Sequence, residues 1–227
     1  MRRYISFIII LLGLVHSTSH AAENTPTFKL SGDVSLLTHY VENGLSQTDN
    51  SPALQGSFWF NFGPQFRMGL WGSNVHYDNG GDNFNLRGNA DIKIDFSTTS
   101  NAVIMYTYSK YFNEDERTGN ILALHLNFGT YRVMYDSMSN WEGTHKRNTR
   151  LGFGKATQVF TDWIWDNEIG YNSPDVNEIS SYFDARTALG TNWGVIFFEG
   201  AVTGTSAPSD LNGAGDIFVI LSAKTGF

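Results

Sequence analysis

Ser35 and His39 stand four residues apart, and His125 follows far along the chain, so the sequence offers the serine and the imidazole of a hydrolytic site. Such a site needs its base within hydrogen-bond reach of the nucleophile and a third group to orient that base. No Gly-x-Ser-x-Gly elbow occurs. A polar wall accounts for both histidines without chemistry, and the chain is read as not an enzyme. The stretch Asp78-Asn79-Gly80-Gly81-Asp82-Asn83 is rich in oxygen. It lacks the further acidic spacing and closing Glu of a calcium hand, so it reads as a glycine-rich turn. Glu114-Asp115-Glu116, beside Arg117, forms an acidic segment that could share divalent cations with lipopolysaccharide phosphates. Trp141, ahead of His145, Lys146 and Arg147, belongs either over a mouth or against a rim. The chain has no cysteine and a net charge of −7. Disulfides and a nucleic-acid partner are therefore not expected, and no cofactor or metal is called for.

The elements that would carry these groups are strands. Phe84, Leu86, Ala90, Ile92, Ile94 and Phe96 alternate with Asn85, Arg87, Asn89, Asp91, Lys93 and Asp95. A helix would scatter the two sets around its circumference, whereas a strand sorts them onto opposite faces. The same sorting puts Phe28, Leu30, Val34 and Leu36 opposite Lys29, Ser31, Asp33 and Ser35, and Leu54, Phe58, Phe60 and Phe62 opposite Gln55, Ser57, Trp59 and Asn61. At the far end Ile217, Val219, Leu221, Ala223, Thr225 and Phe227 share one face, with Ser222, Lys224 and Asp216 on the other. In lipid every backbone donor and acceptor must be paired internally, so an alternating sheet there must close on itself.

Arg2 and Arg3 precede an apolar run from Tyr4 to Val15, and Ser19 and Ala21 offer a small-residue cleavage site. This reads as a secretory signal peptide over residues 1–21, because about 20 apolar residues are needed to span a bilayer as a helix. Residues 22–227 then form one barrel domain. Removing the leader takes away two arginines and no acid, changing the net charge from −7 to −9.

Strands are expected at 28–40, 54–62, 66–74, 84–96, 102–111, 121–128, 130–137, 147–155, 162–171, 180–189, 193–203 and 216–227. The fold class is thus all-β, a transmembrane antiparallel up-and-down barrel of about 12 strands. Short connections (63–65, 97–101, 129, 156–161, 190–192) alternate with longer ones (42–52, 75–83, 112–120, 138–146, 172–179, 204–215), the pattern of periplasmic turns and external loops. Aromatics gather at strand ends on the apolar face: Phe28 with Tyr40, Phe84 with Phe96, Phe62 with Phe66, Phe128 with Tyr131, and Trp163 with Tyr171. Twelve residues separate Phe84 from Phe96. At ~3.3 Å per residue and a tilt of ~40°, that spans roughly 30 Å of membrane. The location read from this is the bacterial outer membrane, with lipid and lipopolysaccharide around the wall and the barrel-assembly machinery reading the C-terminal strand through Phe227.

By the same alternation the lumen wall carries Lys29, Arg67, Arg87, Lys93, Arg132, Arg150, Arg186 and Lys224. Against them stand Asp33, Asp91, Asp95, Asp136, Asp166, Glu168, Asp184, Glu199 and Asp216, with His39 and His125 also facing inward. Eight strands leave an interior that side chains fill and sixteen leave a channel, so twelve lie between. Either these groups line a narrow wet pore for small polar solutes or ions, or they pair into a network that plugs a structural or adhesive barrel. Because buried pairs are costly unless every group is satisfied, water inside is favoured. The outer face that meets lipid could equally pack against another copy, which leaves the oligomeric state open.

Tyr40-Val41-Glu42-Asn43-Gly44-Leu45-Ser46-Gln47-Thr48, Pro52-Ala53-Leu54-Gln55-Gly56-Ser57 and Met68-Gly69-Leu70-Trp71-Gly72-Ser73-Asn74-Val75 together resemble the opening signature of the TorF family of porins. The resemblance covers about the first third of the exported chain. It implies an outer-membrane barrel with a passage function and no particular substrate. That pattern commonly carries an Arg before its first glycine, where this chain has Asn43. A selectivity resting on that Arg would not carry over.

Overall fold

The computed structural model describes residues 28–77, 81–206 and 214–227. The signal-peptide reading falls on residues 1–21, outside that set. Among the described residues there is no helix; fourteen strands are present. They are β1 (Phe28–Leu37), β2 (Val41–Glu42), β3 (Leu45–Ser46), β4 (Ala53–Phe62), β5 (Phe66–Asn74), β6 (Phe84–Asp95) and β7 (Ser100–Phe112), followed by β8 (Gly119–Phe128), β9 (Tyr131–Met138), β10 (Asn148–Phe160), β11 (Trp163–Pro174), β12 (Tyr182–Trp193), β13 (Ile196–Thr205) and β14 (Phe218–Gly226).

Twelve of these close into an antiparallel barrel in which each pairs with its sequence neighbours, and β2 and β3 form a separate hairpin. The seam joins β1 to β14, with Val34 opposite Thr225 and Leu36 opposite Ala223. Gly32 and Phe227 exchange both of their backbone hydrogen bonds, at 3.1 and 3.0 Å. A Cβ at Gly32 would lie 2.6 Å from the Phe227 ring, so the terminal aromatic lies across a position that only glycine leaves free.

Register confirms the two faces. Phe28 pairs with Phe62, Leu30 with Phe60, Phe66 with Ile92, Ile104 with Leu124 and Tyr135 with Leu151, so apolar side chains meet across every ladder. These side chains are exposed, except for the half-buried Phe60 and Ile104. An exposed apolar belt of this extent is the outer surface of a transmembrane barrel. Five short connections lie at one end (63–65, 96–99, 129–130, 161–162 and 194–195), and the longer ones lie at the other.

Several strand ends differ from the sequence reading, among them the fifth short connection, which is read at 190–192 and lies at 194–195; three differences bear on the site. The strands on either side of the fourth short connection run on to Phe160 and begin at Trp163, where the extra length is taken up by a register shift between Gln158 and Phe160. Asp216 is an exposed loop residue whose carboxylate accepts the Ile217 N–H, so it is not on the lumen wall. Tyr40 is not a girdle aromatic. The ladder ends at Thr38, whose hydroxyl accepts the Leu221 N–H, and the chain then turns inward, burying Tyr40 to 6 % exposure beside Ala53, Val75 and Tyr111.

Twelve strands spaced ~4.8 Å apart and tilted ~40° give a circumference of about 75 Å and a Cα diameter of about 24 Å. Side chains alone do not fill that bore, so a loop or water must occupy the rest.

Candidate functional site

A loop does so in the outer half. The connection from β1 to β4, read from sequence as an external loop at 42–52, folds back into the barrel as the β2–β3 hairpin. Its turn is Asn43-Gly44, with φ of +50° and +79°, and Val41 faces Ser46 across the ladder. Two central residues with positive φ make the twist-matched turn that asparagine and glycine favour. The dipeptide was legible, but periodicity gives no indication of which way a loop bends.

Polar and apolar contacts hold the hairpin across the bore. Glu42 is gripped by both Arg87 nitrogens from β6, Nη1 to Oε1 at 2.8 Å and Nη2 to Oε2 at 2.5 Å, and Tyr40 Oη donates to Oε2 at 3.0 Å. Burial works against the Glu42 charge, and the Arg87 guanidinium outweighs it, holding the carboxyl below its usual range. Arg87 also lies over the Trp71 ring at 4.8 Å. On the opposite wall Gly44 fits against Thr205 and Asp184, and a Cβ there would meet Thr205 Cγ2 at 2.6 Å. Leu45, 2 % exposed, packs with Trp141 and Tyr182. Trp141 therefore folds into the mouth. Gln47 donates to Glu142 at 3.3 Å and accepts from Tyr77 Oη at 2.8 Å. Burial pushes the Glu142 carboxyl above its usual range.

His39 sits in this loop and not on the strand wall. Its Nε2 accepts the Asn50 N–H at 3.3 Å and lies 2.7 Å from Ser46 Oγ, while its ring meets Phe218 edge-on. The sequence paired it with Ser35; the fold pairs it with Ser46, and both are buried. Burial pushes the His39 imidazole below its usual value.

About half of the lumen charges expected from sequence come together on one wall. Arg132 bonds Asp166 and Glu168, each at 2.8 Å. Arg150, with its side chain 4 % exposed, bonds Asp184 and Glu168 and lies 3.7 Å from Asp136. Arg186 joins Glu199 to Asp166, and His125 Nε2 lies 2.9 Å from Asp136. The arginines lie flat because glycines face them: a Cβ at Gly154 or Gly170 would overlap Arg132 or Arg150. Asn172 extends the network, donating to Asp184 at 2.6 Å and accepting from Asn148 at 3.0 Å.

The remaining expected groups stand apart, in smaller pairs or alone. Arg67 bonds Asp91 at 2.6 Å, Lys93 reaches Asp95 at 2.8 Å and Lys224 reaches Asp33 at 3.3 Å. Lys29 is exposed at the short-turn rim. The side chains of Arg67, Lys93 and Lys224 are 48 %, 42 % and 52 % exposed, so this end of the lumen is open to water.

The barrel is thus packed in its outer half and wet in its inner half. A cavity of about 140 Å³ remains beside the hairpin, lined by Glu42, Asn43, Ile121, Asp136, Met138, Asn148 and Arg150. Among the described residues no cluster of His, Cys, Asp or Glu is arranged to hold a metal. Asp82 accepts the Glu114 and Asp115 N–H groups, and Asp115 is taken by Lys110 and Thr118. Residues 78–80 of the oxygen-rich stretch lie outside the described residues.

The profile of the Gcw_chp family, described as bacterial proteins of unknown function, matches residues 21–209. The chain belongs to this family. No curated protein sequence matches it. Among solved structures, the KdgM porin is similar with a TM-score of 0.56 at 8 % identity, covering 87 % of this chain and 98 % of that one. The NanC porin is similar with a TM-score of 0.54 at 9 % identity, covering 87 % and 98 %. LpxR from Salmonella typhimurium is similar with a TM-score of 0.51 at 7 % identity, covering 87 % and 99 %. At these identities the likeness extends to the barrel itself, which this Gcw_chp member shares with all three.

Proposed function

We propose that the protein is an outer-membrane channel for passive diffusion of small polar solutes or ions, exported through the periplasm and narrowed by its own first loop. The observation that carries this reading is the axial contrast within one closed barrel. A water-accessible vestibule lined by Arg67, Lys93, Lys224 and Asp95 leads up to a single hairpin spanning the bore. A purely structural barrel has no need to solvate half of its interior. Two of the similar barrels are named as porins, and the hairpin falls on the residues that resemble the TorF signature. Membership of that family belongs to this proposal, as do lipid and lipopolysaccharide contacts outside and recognition of the C-terminal strand by the assembly machinery.

The test is single-channel recording of folded protein in a planar bilayer, with heat-modifiable migration as the check on folding. Discrete unitary steps are expected at neutral pH. A silent membrane with fully folded protein would replace this reading with the plugged, structural barrel, which the ion network along the wall favours.

A further inference from the structure

We infer that the passage selects cations, with Asp136 as the selecting residue; this rests on the channel reading above. The hairpin runs from Arg87 on β6 to Thr205 on β13, so it crosses most of the bore, and the larger cavity left beside it lies toward β9 and β10. That space is the 140 Å³ cavity between Glu42 and Asn43 of the hairpin and Asp136, Asn148 and Arg150 of the wall. At about 30 Å³ per water it holds a few solvent molecules, which is enough to hydrate a small ion in part.

The polar groups facing the cavity are not equally engaged. Glu42 is neutralised by Arg87 through two hydrogen bonds. Arg150 is committed to Asp184 and Glu168, and only at 3.7 Å does it approach Asp136, beyond hydrogen-bond range. Asp136 therefore keeps one oxygen free of a direct donor, the other being met by His125 at 2.9 Å. Asn148 gives an independent pointer. It is 2 % exposed, and its Oδ1 is buried with no donor among the described residues. A buried acceptor left unpaired is costly, and this one belongs to a residue that lines the cavity. The cavity is thus bordered by an Asp136 oxygen whose nearest donor, Arg150 Nη1, stands 3.7 Å away, and by the under-satisfied Asn148.

The charge behind them has the same sign. Asp136 belongs to a connected network in which Arg132, Arg150 and Arg186 answer Asp136, Asp166, Glu168, Asp184 and Glu199, leaving two negative charges uncompensated. The lysines that would offset them lie at the open short-turn end, where water and salt screen them. Low-dielectric walls focus the field of such an excess into the gap. Two charges at roughly 7 Å, screened as at 0.1 M salt, favour a monovalent cation over an anion on the order of tenfold.

Reversal potentials across a bilayer in a potassium chloride gradient, measured on the wild-type protein and on Asp136→Asn, test this. The wild-type channel is expected to pass potassium over chloride on the order of tenfold, and Asp136→Asn, with one excess charge left, about threefold. Asp136→Glu should retain the wild-type ratio. Unitary steps with no preference, or a preference for chloride, would overturn cation selection while leaving the channel reading intact. A ratio unchanged in Asp136→Asn would remove Asp136 from the role. No steps from folded wild-type protein would overturn the channel reading and this inference with it. If Asp136→Asn fails to fold, the wild-type ratio still decides the sign.

Discussion

Leu45 is the apolar anchor of the hairpin, and shortening it to alanine should loosen the hairpin without opening the barrel. Its side chain is 2 % exposed against Trp141 and Tyr182, both themselves buried. Truncating a leucine this enclosed costs ~2–5 kcal/mol, the upper end applying where neighbours are too large to collapse into the void. Two rings fix the shape here, so ~3 kcal/mol is a fair working figure. None of the barrel ladders involves Leu45, so the cost falls on docking of the loop rather than on closure of the sheet. At about tenfold per 1.4 kcal/mol, the undocked population should rise on the order of a hundredfold. The absence of cysteine from the chain allows a direct assay. A single cysteine at Thr48, a fully buried residue of the docked loop itself, reports each undocking event by reacting with an added thiol reagent. In the Leu45→Ala background the labelling rate should climb by about the same factor, while heat-modifiable migration stays normal. Labelling at the parental rate would refute the docking energetics argued here. Loss of migration would show that the hairpin and the wall unfold as one unit.

Other perturbations follow from the same geometry. Gly44→Ala places a Cβ at φ +79° and 2.6 Å from Thr205 Cγ2, so it should raise Thr48 labelling by tenfold or more. Gly32→Ala displaces the Phe227 ring from the seam, and slower recovery of the heat-modifiable form during refolding into vesicles is the expected readout. Arg150→Met strands Asp184 and Glu168 in the packed half. It should lower stability by ~3–5 kcal/mol in urea titrations in vesicles. Acidification acts through His39, whose folded value lies below the usual one near 6.5. Its contribution to docking is complete above that value and is lost as pH falls through the lowered one, because the protonated ring no longer accepts from Asn50. Thr48 labelling should accelerate as pH drops from 7 to 5, and His39→Gln should remove most of that dependence.

The walls of this barrel were legible because alternation is the whole signal: a strand between lipid and water must change character at every residue. That is why Phe84 to Asp95 was placed residue for residue. Strand ends carried less information. At Thr38 a side-chain hydroxyl takes over from the backbone in the ladder, and nothing in the apolar pattern marks that exchange, so Tyr40 was assigned to lipid. Which strand charges face inward was legible as well, since alternation alone decides it; Asp216 was the exception because it lies in a loop. Their partners were not: Arg150 reaches Asp184 two strands away on β12, and that depends on stagger, which periodicity leaves free. The hairpin was hardest to see. Glu42 and Gln47 do their work only because the loop bends inward, and the choice between inward and outward rests on apolar seats for Val41 and Leu45 contributed by residues more than ninety positions away.

The half-dry, half-wet interior has a hydraulic consequence. In a uniform tube the resistance to flow accumulates along the whole length, so every wall residue has some say in the rate. Under the channel function proposed above, the broad solvated stretch would behave as an antechamber in near-equilibrium with the compartment beneath it, and almost the entire potential and concentration drop would fall across the thin layer beside Asn43. Such a device would be an orifice plate rather than a pipe. Its throughput would be insensitive to changes at Arg67 or Lys93, and strongly responsive to any ångström gained or lost where the loop tip faces the wall.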